Sequence, residues 1–258
     1  MKKQFKNFMR YRFLLGELVK KGIKLKYRRS YLGIIWSLIE PLLEMVVLAI
    51  VFGTLFGNDD KTFPVYILTG RLLYSFYSQG TKASLSSIRR NASMIKKVYV
   101  PKYLYPLSSV LFNYVIFLIS LVVLVAVALV IGVYPTVYLA GVIVPLLLVL
   151  ILTFGCGMIL ATLGVFFRDL EYLWNVALML VMYTCAIFYY PERLLKSGFG
   201  WILKINPLYC IISLFRDAVF GQPLEMTTLV YATVFSIGSV IIGLLMFHRQ
   251  QDKFILHI

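Results

Sequence analysis

The sequence predicts an all-α polytopic membrane protein: six transmembrane helices, an N-terminal cytoplasmic amphipathic helix and re-entrant helices on the outer side. Three observations predict it. Of 258 residues, 60% are hydrophobic and only 14% are charged, whereas soluble domains carry about 45–50% apolar and about 25% charged residues. The apolar residues fall in runs of spanning length. The charge is lopsided, with 26 Lys and Arg against 11 Asp and Glu, net +15. Such apolar content excludes disorder, which needs the opposite balance. It also makes nucleic acid a poor explanation of the positive charge, which suits one face of a bilayer better. The whole chain, 1–258, reads as a single transmembrane domain.

Residues 1–31 precede the first span. Phe8, Tyr11, Leu15, Leu18 and Leu25 recur at helical spacing with lysines and arginines between them. That pattern is a basic amphipathic helix suited to the headgroup layer. It serves either as a topology anchor drawn to anionic lipid or also as a brace for a partner subunit. A span needs ~20 apolar residues to cross ~30 Å. Candidates run over residues 32–56, 63–82, 104–131, 139–167, 173–190 and 227–247. The second is the weakest, being rich in Tyr, Ser and Gly. Pro41 should kink the first.

Two connections are more than loops. Residues 83–101 are polar and basic, yet contain the apolar-basic run Met94-Ile95-Lys96-Lys97-Val98. A connection of that length with its own patterning reads as a docking element. Residues 191–226 hold apolar runs too short to cross, separated by Gly198, Gly200, Asn206-Pro207 and Gly221-Gln222-Pro223. They fit two short helices dipping into the outer leaflet, joined at Asn206-Pro207, with a folded external loop as the other reading.

The cations choose the orientation. Eleven precede the first span, six lie in the second-to-third connection, and Arg168, Arg249 and Lys253 fall on the same side. The opposite loops hold five: Lys61, Arg193, Lys196, Lys204 and Arg216. Twenty against five predicts both termini in the cytoplasm. No signal peptide is evident, because the first apolar stretch starts late and is longer than a 7–15-residue h-region. Cys156, Cys185 and Cys210 have no metal or redox spacing and read as packing residues.

Ionisable residues inside spans are costly and need a reason. Glu40 and Glu44 share one face of the first span. Glu44 lies ~18 Å from the cytoplasmic edge, and Arg71 of the second span reaches ~18 Å from the same edge. The equal depths predict a Glu44–Arg71 pair between antiparallel neighbours; the alternative is two charges facing a wet lumen separately. At the cytoplasmic end of the fourth span, Asp169 and Glu171 can cap the fifth helix and Arg168 can snorkel. A direct role of Arg168 and Asp169 in coupling is the other reading.

Catalytic signatures do not occur. There is no GxxxxGK[ST], HExxH or GxSxG, and His248 and His257 lie in the tail. Asp59-Asp60 sits beside Gly57-Asn58 and reads as turn chemistry. No metal or cofactor is expected on the chain. A transporter driven from elsewhere is the class left, with an ion-coupled carrier and a lipid-modifying enzyme as rivals.

Several motifs, in order along nearly the whole chain, then resemble one family. They are Tyr27-Arg28-Arg29-Ser30-Tyr31-Leu32-Gly33-Ile34-Ile35-Trp36-Ser37-Leu38 followed by Pro41-Leu42; Val51-Phe52-Gly53; Asn91-Ala92-Ser93-Met94-Ile95-Lys96-Lys97-Val98; Gly164-Val165-Phe166-Phe167-Arg168-Asp169-Leu170; Tyr190-Pro191; Asn206-Pro207-Leu208; and Phe215-Arg216-Asp217. The chain resembles ABC-2 type permeases, more narrowly those exporting lipid-linked polysaccharide such as O-antigen and teichoic acid. Arg71 departs from the apolar residue expected after Gly70.

The resemblance implies a permease in a bacterial cytoplasmic membrane. It would form a homodimer with two ATP-binding cassette subunits, which carry the ATP and Mg, and would take an undecaprenyl-type lipid-linked glycan as substrate. It implies that Ser87, Arg89, Arg90, Met94, Ile95, Lys96 and Lys97 belong to the ATPase-coupling segment. An ABC-2 drug or lipid exporter is the nearest alternative. Sugar rings pack on aromatic faces, so Trp36, Phe52, Phe56, Tyr183, Tyr189 and Tyr190 could line a glycan path, or could form interfacial belts and core packing.

Overall fold

The computed structural model describes residues 2–28, 30–56, 60–98, 100–196, 198 and 200–257, without the side chains of 2–10, 56, 193, 196 and 257. Arg29, Gly57, Asn58 and Asp59, and the side chains of Lys2, Lys3, Lys6, Phe8, Arg10, Phe56, Arg193, Lys196 and His257, thus lie outside what is described. Helix is the only regular structure among the described residues. In chain order the helices are α1 (Lys2–Tyr27), α2 (Trp36–Phe56), α3 (Phe63–Arg90), α4 (Ala92–Lys97), α5 (Leu104–Ile131), α6 (Ile143–Phe166), α7 (Leu170–Tyr183), α8 (Glu192–Lys196), α9 (Gly200–Ile205), α10 (Pro207–Val219), α11 (Met226–Gln250) and α12 (Phe254–His257).

The first segment forms one helix, as its apolar spacing predicts. α1 packs on α5. Leu15 is buried and Leu18 joins a cluster of Ile88, Ile95, Tyr105, Phe247 and Phe254, whereas Phe13 remains exposed. The amphipathic helix is therefore held to one end of the bundle by its apolar stripe.

Among the described residues four segments are long and apolar enough to cross a membrane: Gly33–Leu55, Leu104–Ile131, Val137–Phe166 and Met226–Leu256. α3 matches them in length but not in hydropathy. Twenty of its 28 residues are buried, so it is the central helix of the bundle. Its hydroxyls are satisfied internally: Thr69 Oγ1 donates to the Tyr66 carbonyl (2.7 Å), Thr81 Oγ1 to Tyr77 (2.7 Å) and Ser87 Oγ to Ser84 (2.6 Å). Back-bonding of this kind lets a polar helix sit in a dry interior.

α3 runs unbroken to Arg90, which corrects the division at residue 82. The stretch read as the start of a docking loop is the last two turns of a core helix. Only Ala92–Lys97 forms a separate short helix there.

The fifth segment departs more. α7 ends at Tyr183 after 14 residues, about 21 Å of helix. Residues 184–190 turn back into the protein, with Cys185, Ala186, Ile187 and Phe188 buried. Ala186 takes a positive φ of 47°, a conformation that costs a non-glycine residue free energy. Irregular backbone at membrane depth needs its polar groups satisfied within protein. Tyr66 Oη donates to the carbonyls of Ala186 and Tyr189 (both 3.0 Å), Tyr189 Oη to that of Tyr183 (2.8 Å), and Asn206 Nδ2 to Thr184 Oγ1 (3.0 Å).

Asn206 also starts α10. Its side-chain oxygen accepts from the backbone N–H of Leu208 and Tyr209, and Pro207 follows as the first helical residue. Between α6 and α11 the backbones approach closely. A Cβ on Gly155 would collide with the Ser239 side chain and lie 2.6 Å from its backbone carbon.

Gly155→Val is therefore expected to destabilise the bundle by about 1–3 kcal/mol or more, read as a lower thermal midpoint in detergent. Ala186→Gly is expected to leave that midpoint unchanged or raise it, because glycine adopts positive φ without strain.

Candidate functional site

The charges within the spans come first, because they constrain the helices most. Arg71 on α3 donates through Nε to Glu44 Oε2 and through Nη2 to Glu44 Oε1, both at 2.7 Å. Two parallel bonds between a guanidinium fork and a carboxylate fix geometry as well as energy. The structure thus brings Glu44 and Arg71 together, with both side chains partly buried. The remaining Arg71 nitrogen points at Met182 Sδ on α7 (3.9 Å). One residue therefore reaches α2, through Glu44, and α7.

The coupling segment divides into buried and exposed residues. Ser87 and Ile95 face inward, and Met94 packs on the cluster around Ile95. Arg90, Lys96 and Lys97 are exposed. Arg89 is committed to Glu171 at the start of α7 (3.1 Å). This corrects the capping role read for the acids: Asp169 occupies the N-cap position without a side-chain cap bond, and Glu171 serves the Arg89 pair. Arg168 and Asp169 are exposed beside it.

The aromatic residues divide in the same way. Phe52 stacks on Phe188 at 4.9 Å. Tyr190 packs against Phe63 and Tyr66 and donates its hydroxyl to Asp60 (2.8 Å). Tyr189 bonds to the Tyr183 carbonyl. Those three rings hold the fold, while Trp36 and Tyr183 present open faces, at 45% and 51% exposure.

Residues that the sequence reading passed over lie in α10. Arg216, counted there as an outer-loop cation, is 6% exposed. Its guanidinium lies 3.5 Å from the centre of the Tyr66 ring, and it donates to Thr69 Oγ1 (3.3 Å) and the Tyr66 carbonyl (3.2 Å). Among the described residues no carboxylate lies within ion-pair distance of it. A desolvated cation on an aromatic face gains ~2 kcal/mol or more, and the two acceptors offset part of the burial cost. Gly70 makes room, since a Cβ there would lie 2.6 Å from the Arg216 nitrogen. Helical spacing carried the signal: Tyr209, Ile212, Arg216 and Val219 share one buried stripe.

Asp217, in α10 and outside the four spanning segments, is pushed up to about 6 by burial and by Glu225, with Arg216 opposing. Its protonated form is thus favoured in the fold. The stability contribution is full below the unfolded value near ~4 and is lost as pH rises to about 6.

A sequence model of the ABC-2 type transporter family matches residues 14–220. The chain is 31% identical over 246 residues to the O-antigen export system permease protein RfbA of Klebsiella pneumoniae, covering 93% of each. It is 28% identical to the protein of the same name from Myxococcus xanthus, covering 82% of each. With the polysialic acid transport protein KpsM of Escherichia coli it shares 24% identity, over 89% of this chain and 90% of the relative.

Reversing Glu44 or Arg71 singly is expected to reduce folded yield in the membrane, and the double reversal to restore most of it; a size-exclusion profile of the solubilised protein checks this. Asp217→Asn is expected to raise the thermal midpoint at pH 7 and to flatten its change between about pH 4 and pH 6.

Proposed function

The chain belongs to the ABC-2 type transporter family, and from that premise we propose that it is the permease subunit of an ATP-driven exporter of lipid-linked polysaccharide. One observation carries the reading: the relatives that match over most of their length are named for export of O-antigen or polysialic acid. The chain itself performs no covalent chemistry. ATP and Mg act on a separate ATP-binding cassette subunit.

The chain works as a homodimer with two such subunits, in the cytoplasmic membrane. In each copy six segments cross. α3 crosses despite its polarity because its hydroxyls bond to its own carbonyls. α7 crosses jointly with the turned segment after it, and both termini face the cytoplasm. In this reading the second copy covers α7, which leaves Leu173, Val176, Met179, Leu180 and Tyr183 exposed. One face of α2, with Leu43, Val47 and Ile50, is equally uncovered.

ATPase docking falls to Arg90, Lys96 and Lys97, the exposed cations of residues 83–101. The Arg89–Glu171 bridge then ties that docking point to α7, so a push there is delivered to α7. The polyprenyl part of an undecaprenyl-type substrate stays in the lipid while the glycan passes between the two copies.

Reversing Arg90, Lys96 and Lys97 together is expected to abolish ATPase co-purification while insertion stays normal; retained co-purification contradicts the docking assignment. Deleting the chain is expected to trap lipid-linked glycan on the cytoplasmic face. An unchanged glycan pool would favour a drug or lipid exporter instead.

A further inference from the structure

The Glu44–Arg71 pair forms one wall of a chamber of about 250 Å³ between α2, α3 and α5. The chamber opens toward the segment joining α1 to α2, where Lys26, Tyr27 and Ser30 line it. Its polar lining is dense for a site among spanning helices: Glu40, Gln79, Asn113 and Ser120 join the pair, with the ring of Trp36 beside them. On the opposite side of the pair lies a separate slot of about 470 Å³, lined almost wholly by apolar residues such as Val47, Leu48, Met182 and Phe188. The polarity of the chamber is therefore specific to one side.

Three features say what would occupy it. The first is Glu40. It lies seven residues past Gly33, so about 10 Å along the span. Among the described residues no hydrogen-bond donor reaches its carboxylate. Glu40 is an exposed residue of the lining, so its carboxylate takes donors from water or from a ligand. The second is charge balance. Lys26 and Arg71 face Glu40 and Glu44 in the lining, so an anion gains no net attraction and a neutral polar molecule brings no charge to desolvate. The third is the inventory of hydrogen-bonding groups. Asn113 uses its amide nitrogen on the Ser109 carbonyl, leaving its side-chain oxygen as an acceptor, and Glu40 adds two more. The Lys26 ammonium, which spends one N–H on Gln79 Oε1, and the second N–H of the Asn113 amide add donors. The lining thus pairs donors with acceptors beside an aromatic face and calls for a neutral ligand with hydroxyls, which do both, and an apolar ring face. That description fits a sugar. A volume a little under the usual 300–1,000 Å³ of small-ligand pockets suits a single ring and not a folded chain.

We propose that this chamber is a binding site for a neutral sugar ring, held by Glu40 and Asn113 and stacked against Trp36. The proposal rests on the polysaccharide-export reading and deepens it, by naming a place within one subunit where a sugar is recognised. It differs from a path along exposed aromatics, since of Trp36, Phe52, Tyr183, Tyr189 and Tyr190 only Trp36 is in the lining.

The test uses the full chain in lipid nanodiscs, carrying Trp174→Phe and Trp201→Phe so that Trp36 alone reports. Its fluorescence is titrated with N-acetylglucosamine, galactose and the oligosaccharide released by mild acid from the host's own glycan. The expected result is a saturable change with at least one of these sugars, weakened about tenfold or more by Glu40→Gln, the scale of one charge-assisted hydrogen bond. Asn113→Leu should weaken it as well. Glu40→Gln keeps the side-chain shape, and a monodisperse profile checks its folding.

Undiminished binding in both variants overturns the proposal, as does a response to inorganic phosphate or phosphatidylglycerol in place of sugar. Absence of sugar binding also overturns it, when surface glycan in cells still depends on the chain: the export reading then stands and the chamber assignment falls. If surface glycan is independent of the chain, the export reading falls and the titration still decides the chamber.

Discussion

A guanidinium and a carboxylate at apolar depth leave little freedom to the helices that carry them. Neither Glu44 nor Arg71 can be stably charged in the bilayer without the other, so the paired registers of α2 and α3 are fixed together. The constraint matters because α2 is otherwise weakly specified. Met45 and Ser37 are its buried residues, and much of its surface is apolar and open. Apolar side chains facing lipid or another helix set no register, since either environment suits them. The bidentate bond does set it, and with it the wall that divides a polar chamber from an apolar slot.

A second cation holds α3 close to the first, at Tyr66 and Thr69. Arg216 binds the Tyr66 ring and backbone, while the Tyr66 hydroxyl holds the carbonyls of Ala186 and Tyr189. Tyr66 is thus shared by the outer helix α10 and by the interrupted segment after α7. A shift of α10 cannot leave residues 184–190 undisturbed. At the opposite end the Arg89–Glu171 bridge links α3 to α7 again. Between these two ties the Tyr74 hydroxyl donates to the Leu178 carbonyl (2.8 Å) and Trp174 Nε1 to Thr81 Oγ1 (3.0 Å), so α3 holds α7 along its length.

Much of this was legible in the sequence, and the exceptions have physical causes. The third span matches α5 residue for residue, because its apolar run is closed by Gly132 in a left-handed cap that satisfies the last carbonyls. The Glu44–Arg71 juxtaposition followed from rise per residue alone. The fifth segment was misjudged because hydropathy counts apolar side chains and is blind to where backbone hydrogen bonds come from. Residues 184–190 are apolar enough for a helix, yet tyrosine and asparagine side chains far away in sequence supply their bonds. The docking reading of residues 83–101 rested on length and apolar-basic patterning, and Ser87 and Ile95 joined it through the family resemblance; neither signal shows that back-bonding and a local apolar cluster bury both. Arg216 was placed by its position in a loop, although its spacing with Tyr209 and Ile212 put it on the inward face.

The central claim is that ATP turnover by a partner moves a lipid-linked glycan through this chain. The most direct measurement reconstitutes the chain and its ATP-binding partner in vesicles containing fluorescent lipid-linked glycan, and follows the fraction open to a membrane-impermeant glycosidase. The account predicts that this fraction changes on adding ATP and Mg only when both proteins are present, and stays fixed when a non-hydrolysable analogue replaces ATP. Movement at the same rate without the partner, or ATP hydrolysis by the complex with no change in glycan accessibility, would contradict it.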